Sequence, residues 1–325
     1  MSSKFKILCG AIALLTIIAI FVNLSIGFVD LGFSDFFGAD SFNSQIAQLR
    51  VNRVVVMLLA GISVPTSGFL LQEYFQNPLA GPSVLGITSV ASLSVALYIF
   101  LSQDFALPEF LQNSLISSFA IAGSFAMMIL LLFFSKKFQN QSYLIIFGFL
   151  ISALSGALVS ILQFYAESQS LKNYILWSFG ANNQVTPNQI FVLILFISAG
   201  FFFSFRSIKP LIGISLGSSY AQTMGVNLLQ LRFFVVIASS LLSASVTAFL
   251  GPILFIGIVV PHFCRMIWNP SQLWHQWILN MVLGMLIMET FSIVSEFSQF
   301  PINIITSLFG IPVILVMLLN QKKIR

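Results

Sequence analysis

Charge is scarce in this sequence. Only 7% of its 325 residues are Asp, Glu, Lys or Arg, whereas 58% are hydrophobic and the mean hydropathy is +1.00. A soluble domain carries about 25% charged residues, so this chain has too few to cover a water-exposed surface. The composition therefore excludes a soluble protein and predicts an integral membrane protein.

Residues that build catalytic and metal sites are also few. The two cysteines, Cys9 and Cys264, lie in separate apolar segments, and the two histidines, His262 and His275, are too far apart to bind a metal from one helix face. The sequence has no GxxxxGK[ST] motif for nucleotide phosphates and no HExxH motif. It also lacks a basic stripe interleaved with aromatic residues. We therefore expect no catalytic residue, no metal or other cofactor on this chain, and no nucleic-acid partner.

Continuous apolar runs of about twenty residues, the length of a membrane-crossing helix, are abundant. A porin-type barrel would instead show shorter segments of alternating polarity. We predict an all-α membrane protein, with one transmembrane domain over residues 1–325 embedded in the lipid bilayer. The ten spans are expected at roughly 7–28, 52–72, 84–102, 114–135, 142–163, 188–205, 229–249, 252–268, 276–297 and 302–320.

The distribution of Lys and Arg predicts the orientation, because these residues concentrate in cytoplasmic loops. With ten spans and a cytoplasmic N-terminus, all but three of the 14 basic residues fall on the cytoplasmic side. The exceptions are Arg50, Arg53 and Lys172. We expect both termini to be cytoplasmic.

Three segments place proline and glycine within or beside apolar runs: NPLAGPSVLG (77–86), GPILFIGIVVPHFCR (251–265) and LFGIPVI (308–314). Freed backbone groups at membrane depth are tolerated where protein buries them or where they line a cavity. Broken helices border the pathway of many transporters. We predict that the helices are broken at these segments and border a translocation pathway, although a simple kink would explain any single one.

Two further features could carry function. The stretch LGSSYAQTMGVNLLQL (216–231) is too polar to span, and Gly217 and Gly225 would cap a short helix between them. Such a helix is either an interfacial anchor or a docking knob for a partner. Glu289 lies deep in a span, where a carboxylate is either functional or bonded inside the bundle.

Four long stretches, in this order and spacing, resemble the FecCD-type permeases, the membrane subunits of ABC importers for iron–siderophores, haem and vitamin B12. The resemblance runs from about residue 45 to the C-terminus and implies the vitamin B12 importer-like permease fold. The matching stretches are RVNRVVVMLLAGISVPTSGFLLQEYFQNPLAGPSVLGITSVAS (50–92), LGSSYAQTMGVN (216–227), GPILFIGIVVPHFCRM (251–266) and FPINIITSLFGIPVIL (300–315).

The resemblance implies partners and a mechanism. Two permease copies would form a homodimer in the bacterial inner membrane, with the pathway between them. Two ATPase subunits would carry ATP and Mg, and an extracytoplasmic binding protein would deliver an iron–siderophore, haem or cobalamin for alternating access. The alternative is an ion-gradient-driven secondary transporter, for which Glu289 is the only residue in favour.

The resemblance also implies roles for residues. Arg50 and Arg53 match an R-x-x-R motif that pairs with carboxylates on the binding protein, and residues 213–227 match the coupling helices that dock on the ATPase. The cytoplasmic gate is expected at Asn77, Leu79, Gln141 and Ser142. The ATPase-docking residues are expected to be Leu216, Gly217, Ser218, Ser219, Ala221, Met224, Gly225 and Val226.

The chain departs from the family pattern at three places. An Asp and an Arg four residues later are usual in the ninth span, where this chain has Glu289 and Ile293. The usual R-L-P-R is RVNR here. Acids common in the coupling helix are replaced by Ser218 and Ser219. We therefore expect one contact to the binding protein to be missing or replaced, and an ATPase interface with less charge.

Overall fold

The computed structural model describes residues 3–38, 42–102, 109–138, 141–180 and 185–320. Within these ranges the chain is helical and contains no strand. A short 3-10 helix, Phe33–Phe36, follows the first helix. The twelve α-helices are α1 Ser3–Ser25, α2 Phe42–Phe75, α3 Ile87–Leu101, α4 Glu109–Lys137, α5 Gln141–Tyr165, α6 Ser168–Ser178, α7 Pro187–Ile214, α8 Ser218–Thr223, α9 Leu228–Leu250, α10 Ile256–Ile267, α11 Leu273–Ser298 and α12 Ile302–Asn320.

The prediction of an all-α membrane fold is confirmed. Eight helices are long and apolar enough to cross a membrane, and α3 and α10 are shorter apolar helices. These ten helices coincide with the ten predicted spans. The remaining two, α6 and α8, are short helices between spans, and α6 was not predicted.

The helices differ greatly in how much protein surrounds them. In the most apolar part of α2 and of α9, 78% and 83% of the residues are buried, against 22% in α1 and in α5. The central α2 packs against α7, α9, α10 and α11. A helix with mostly buried residues is surrounded by protein, whereas a helix with few buried residues mostly faces lipid. Helices α2 and α9 therefore form the core of the bundle, and α1 and α5 lie at its edge.

Glycines allow α2 to approach its neighbours closely. A Cβ atom at Gly61 would lie 2.6 Å from the carbonyl oxygen of Gly284 in α11. A Cβ atom at Gly68 would overlap the backbone of Gly257 in α10. Small residues at helix crossings let backbones pack directly in membrane proteins. The middle of α2 is thus fixed between α10 and α11.

The helix breaks occur where the backbone is left-handed. Residues 76–86 connect α2 to α3 through turns, with φ of 49° at Gln76 and 81° at Gly86. Residues 251–255 connect α9 to α10, with φ of 70° at Gly251 and 65° at Phe255. A helix cannot continue through such residues, because it needs negative φ throughout.

The prediction of a break at 308–314 is wrong. The last helix, α12, runs without interruption and has Pro312 inside it. Proline removes one backbone donor, but neighbouring groups and local adjustment satisfy the freed carbonyl in membrane-spanning helices. Pro65 in α2 and Pro261 in α10 likewise lie inside uninterrupted helices. The span predicted at 252–268 also begins later, because α10 starts at Ile256.

Candidate gate and docking surfaces

Helix α8 is held at both ends by glycine, as the sequence predicts. Gly217 is its N-cap with φ of 110°, and Gly225 lies just beyond its last turn with φ of 83°. The amides of Gly225 and Val226 donate to the carbonyls of Gln222 and Ala221, which is the Schellman arrangement at a helix end. Six residues are too few for a stable isolated helix. These caps therefore fix α8.

The predicted ATPase-docking residues divide into an exposed set and a buried one. Leu216 and Met224 are 66% and 67% exposed. Ala221 is fully buried, because α8 packs there against Gly213 at the end of α7. The exposed surface therefore excludes the Ala221 side chain. It includes Tyr220, which is 49% exposed and lies within the predicted segment 213–227 but was not among its individually named residues.

The predicted gate segment after α2 is a compact turn. The side-chain oxygen of Asn77 accepts a hydrogen bond from the amide of Leu79 at 2.9 Å, and the Asn77 carbonyl accepts one from Ala80. An asparagine side chain that mimics a backbone turn is a common way to start a loop. Both Asn77 and Leu79 are half-buried.

The second gate segment, at the start of α5, packs on the first through other residues. Leu85 lies against Gly148, where a Cβ atom would approach the Leu85 Cα to 2.7 Å. Ser152 donates to the carbonyl of Ser83 at 3.3 Å. Ser142 is exposed at the start of α5, and the side chain of Gln141 lies outside the described part of the chain.

We call the end of the bundle that carries α8 and residues 76–86 the α8 end. Here Arg265 of α10 contacts the last turn of α2. Its Nη1 forms an ion pair with Glu73 Oε1 at 3.2 Å, and its Nη2 donates to Gln72 Oε1. Gln72 in turn donates to the carbonyl of Gly257 at 3.2 Å. The last turn of α2, next to the gate segment, is therefore bonded to α10.

At the opposite end, which we call the Arg50 end, Arg50 is buried. The exposed fraction of this residue is 5%. Its Nη1 donates to the carbonyls of Leu24 at 3.0 Å and Ser25 at 3.4 Å, and its Nη2 donates to Val29 at 2.5 Å. Arg50 thus fixes the end of α1 and the chain that follows it onto the side of α2.

Arg53 is also engaged within the chain. It forms an ion pair with Glu296 near the end of α11 and donates to the carbonyl of Asn23 at 2.7 Å. The side chains of Arg53 and Glu296 are 10% and 18% exposed. The sequence places both arginines at one end of α2, but it does not reveal that they are largely covered.

Glu289 is fully buried in α11, and it is bonded inside the bundle. Asn23 of α1 donates from Nδ2 to Glu289 Oε2 at 2.6 Å. The same Asn23 accepts from Arg53 through its carbonyl, so Glu289 belongs to one network with the Arg50 end. Within the described chain no group of three or more His, Cys, Asp and Glu side chains could hold a metal ion.

Two cavities open beside these elements. The first, about 840 Å³, lies at the Arg50 end between α2, α4 and α7, and its described lining is uncharged and rich in amides such as Gln45, Gln48 and Asn52. The second, about 650 Å³, is mostly apolar and lies between α6, residues 251–255 and α12. The helix break at 251–255 therefore borders a cavity.

Known proteins resemble this chain over nearly its whole length. The hemin transport system permease protein HmuU of Yersinia pestis is 29% identical, over 98% of this chain and 97% of its own. The vitamin B12 import system permease protein BtuC of Photorhabdus laumondii is 30% identical, over 85% and 82%. The molybdate import system permease protein MolB of Haemophilus influenzae is 30% identical, over 86% and 82%.

The fold agrees with these similarities. A solved structure of an ABC transporter described as of the metal-chelate type, in an inward-facing conformation, matches with a TM-score of 0.78 and 25% identity over 97% of this chain and 99% of its own. The model of the FecCD transport family matches residues 15–320. The chain therefore belongs to the FecCD transport family, as a multi-pass permease subunit of an ABC importer in the bacterial inner membrane.

Proposed function

We propose that this permease passes a metal chelate, foremost an iron–siderophore, through the membrane by alternating access powered by ATP. Haem and cobalamin are the other candidates of this class. The observation that supports the class is the near full-length similarity to permeases named for hemin and vitamin B12 and to a transporter described as of the metal-chelate type. The relative named for molybdate makes an oxyanion the second candidate.

Two ATPase subunits, each carrying ATP and Mg, are the proposed motor, and α8 is their docking element. Its capped ends and the exposed side chains of Leu216, Tyr220 and Met224 support this role, because a short rigid knob with apolar side chains suits a groove on another protein. With no acidic side chain in α8, the interface relies on apolar contact more than on ion pairs.

The binding protein is proposed to dock at the Arg50 end. Arg53 is the candidate for direct contact, because its ion pair with Glu296 is partly exposed and a carboxylate of the binding protein can compete for it. Arg50 is buried, so it would act by holding the surface segment that follows α1. In this proposed orientation both termini and α8 would lie in the cytoplasm.

A second copy of the chain is the proposed permease partner, in a single-domain homodimer. The exposed apolar side chains of α5 and α12, such as Phe149 and Leu308, support a contact there, and the apolar cavity beside α12 would open toward the pathway between the copies. The gate at its cytoplasmic exit would be formed by Asn77, Leu79, Gln141 and Ser142.

The test is uptake in proteoliposomes that contain the permease, its ATPase and its binding protein. Labelled ferric siderophore, haemin, cobalamin and molybdate are supplied in turn, with ATP or a non-hydrolysable analogue inside. We expect ATP-dependent uptake of one metal chelate. Uptake of molybdate alone would replace the cargo class, and uptake that follows an ion gradient without ATP would establish the secondary transporter instead.

A further inference from the structure

Arg232 is a buried arginine that the sequence analysis assigns to no role. It lies in the second turn of α9, nine residues after the last residue of α8, and is only 6% exposed. A buried guanidinium is costly unless its donors are bonded. The contacts that satisfy Arg232 therefore identify what this residue does.

The guanidinium joins three helices at the α8 end. Its Nε donates to the hydroxyl of Tyr74 in α2 at 2.7 Å. Its Nη1 donates to the carbonyl of Phe138 at 2.8 Å and to the carbonyl of Ser135, both at the end of α4. A helix leaves its last carbonyls without partners, and a cation is favourable there because of the helix dipole. Arg232 thus caps α4 while it bonds α2.

These acceptors lie directly before the two proposed gate segments. Tyr74 precedes Asn77 by three residues, and Phe138 precedes Gln141 by three residues. We propose that Arg232 is the positioning residue that transmits a displacement of the ATPase-docking helix α8 to both gate segments at once. This inference rests on the proposed function, because it requires an ATPase that moves α8.

The connection between α8 and Arg232 is short and rigid. Helix α8 ends in its Schellman arrangement, and Asn227 then caps α9 by accepting from the amide of Gln230 at 3.0 Å. Arg232 follows Gln230 by two residues in α9. A movement of α8 therefore moves the guanidinium, and its planar array of donors cannot follow without breaking or pulling its bonds to α2 and α4.

Arg265 is the natural comparison, because it also bonds the last turn of α2. It reaches Gln72 and Glu73 from α10, and within the part of the chain that the structure describes its hydrogen bonds do not include the end of α4. Arg232 is the residue that engages the ends of both α2 and α4 from the helix that follows α8.

Three variants distinguish a role of Arg232 in transmitting the displacement of α8 from a role in stabilising the fold. Arg232→Met retains a long unbranched side chain and removes every hydrogen bond of the guanidinium. Arg232→Lys keeps the charge but cannot span all three acceptors. Tyr74→Phe removes one acceptor and leaves both α4 carbonyls bonded. The matched control is Arg206→Met, because Arg206 is exposed in α7 and lies over the ring of Phe202 of the same helix, 5.3 Å from its centroid.

Each variant is reconstituted with the ATPase and binding protein, and uptake is measured per ATP hydrolysed. A nitroxide spin label is attached to the Tyr143→Cys variant, beside the second gate segment. Pulsed electron paramagnetic resonance then measures whether the distance between the labels on the two permease copies changes when ATP binds. For Arg232→Met we expect an assembled complex that hydrolyses ATP, at least tenfold less uptake per ATP, and a label distance that no longer responds. Arg232→Lys and Tyr74→Phe should lose about two- to fivefold, and the control should match the wild type.

The contrary results are equally distinct. If Arg232→Lys and Tyr74→Phe lower the melting temperature but keep the wild-type uptake per ATP and label response, Arg232 only stabilises the fold and the inference is overturned, even where Arg232→Met does not assemble. If the wild-type complex itself shows no ATP-driven uptake, the proposed function fails, and this inference fails with it.

Discussion

The two ends of α2 are both fixed by pairs of arginines, but the pairs are arranged in opposite ways. At the Arg50 end the arginines belong to α2 and reach outward, to the end of α1, to the chain after it and to Glu296. At the α8 end, Arg232 and Arg265 belong to other helices and reach inward to the last turn of α2. The same residue type therefore reaches out from α2 to its neighbours at one end and reaches from neighbouring helices to α2 at the other.

The sequence separation between arginine and acceptor differs between Arg50 and Arg232. The carbonyls that accept from Arg50 lie 21 to 26 residues away, in the neighbouring stretch of chain. The acceptors of Arg232 lie 94 to 158 residues away, in two different helices. Arg50 therefore holds a neighbouring stretch of chain in place, whereas Arg232 bonds helices that are distant in sequence, as Arg53 does with Glu296 of α11. Because α8 is the proposed ATPase-docking helix, we infer that the α8 end responds to the ATPase and that Arg50 belongs to the fixed end of α2.

The contrast between the two ends requires α2 to stay packed as one helix. Of the proposed variants, Gly61→Val should disrupt this packing most severely. A Cβ atom at Gly61 would lie 2.6 Å from the Gly284 carbonyl oxygen and 2.7 Å from the Met285 Cα, and backbone cannot yield as a side chain can. Overpacking of this kind costs about 1–3 kcal/mol and sometimes more. We expect little monodisperse protein by size-exclusion chromatography.

Gly156→Val in α5 is the matched control for this variant. A Cβ atom there meets nothing within 4 Å, so the added side chain has room. This variant should elute and melt like the wild type. A Gly61→Val protein that is equally stable would mean that α2 and α11 can separate, and the two ends of α2 could then not be treated as parts of one rigid helix.

The next largest effect is expected for Arg50→Lys, which tests the fixed end. A lysine has a single ammonium group and cannot reach the three carbonyls that Arg50 bonds. Hydrogen bonds to a charged group contribute about 1.5–3 kcal/mol each, so we expect a loss of about 2 kcal/mol in the free energy of unfolding. Denaturation in detergent measures the loss.

Arg50→Lys should leave uptake per ATP unchanged once the complex is assembled. Arg232→Lys, the same substitution at the other end, should reduce it. If both variants lose coupling to the same degree, the difference between the two ends is not functional, and the arginines would share one structural role.

A smaller effect is expected for the paired variants Glu73→Gln and Glu296→Gln. Each removes the charge of a partly exposed carboxylate that is ion-paired with an arginine, Arg265 or Arg53. Such pairs contribute about 1 kcal/mol, and a glutamine keeps the shape and one acceptor oxygen. The melting temperatures should therefore fall modestly and by similar amounts.

The functional readouts of this pair should differ. Glu73→Gln loosens the last turn of α2 beside the gate and should lower uptake per ATP. Glu296→Gln should leave that ratio unchanged and alter the affinity of the binding protein, measured by surface plasmon resonance. A binding-protein affinity that does not change in Glu296→Gln would remove Arg53 from the proposed docking site.

Local patterns predicted most of the fold. The apolar runs correspond to the eight helices that are long and apolar enough to cross a membrane and to the shorter apolar helices α3 and α10, and Gly217 and Gly225 occupy the capping positions expected of them. Pro312 misled the prediction because a proline marks a possible break, whereas the break itself requires left-handed residues such as Gln76 and Phe255. Local pattern therefore indicates where the long apolar helices are, whereas it missed the short α6, and the conformation of a few residues decides where helices stop.

The site was predicted less completely, for a physical reason. The positions of Arg50 and Arg53 along α2 follow from the sequence, but their burial depends on how the end of α1 and the chain after it pack on them. Arg232 was counted only as one cytoplasmic charge. Its role depends on Tyr74 and Phe138, 158 and 94 residues away, and no pattern within one helix encodes such contacts.

The smallest effect on stability, and a specific one on assembly, is expected for Met224→Ser. Met224 is 67% exposed after α8, so its replacement should change the free energy of unfolding by less than about 0.5 kcal/mol. If α8 docks in a groove of the ATPase, this side chain becomes buried there, and its loss should weaken ATPase binding about tenfold. Met266→Ser is the matched control, because Met266 is 69% exposed in α10 and lies outside α8. Equal ATPase affinity in both variants would separate α8 from the docking surface, and the moving end of α2 would then need another connection to the motor.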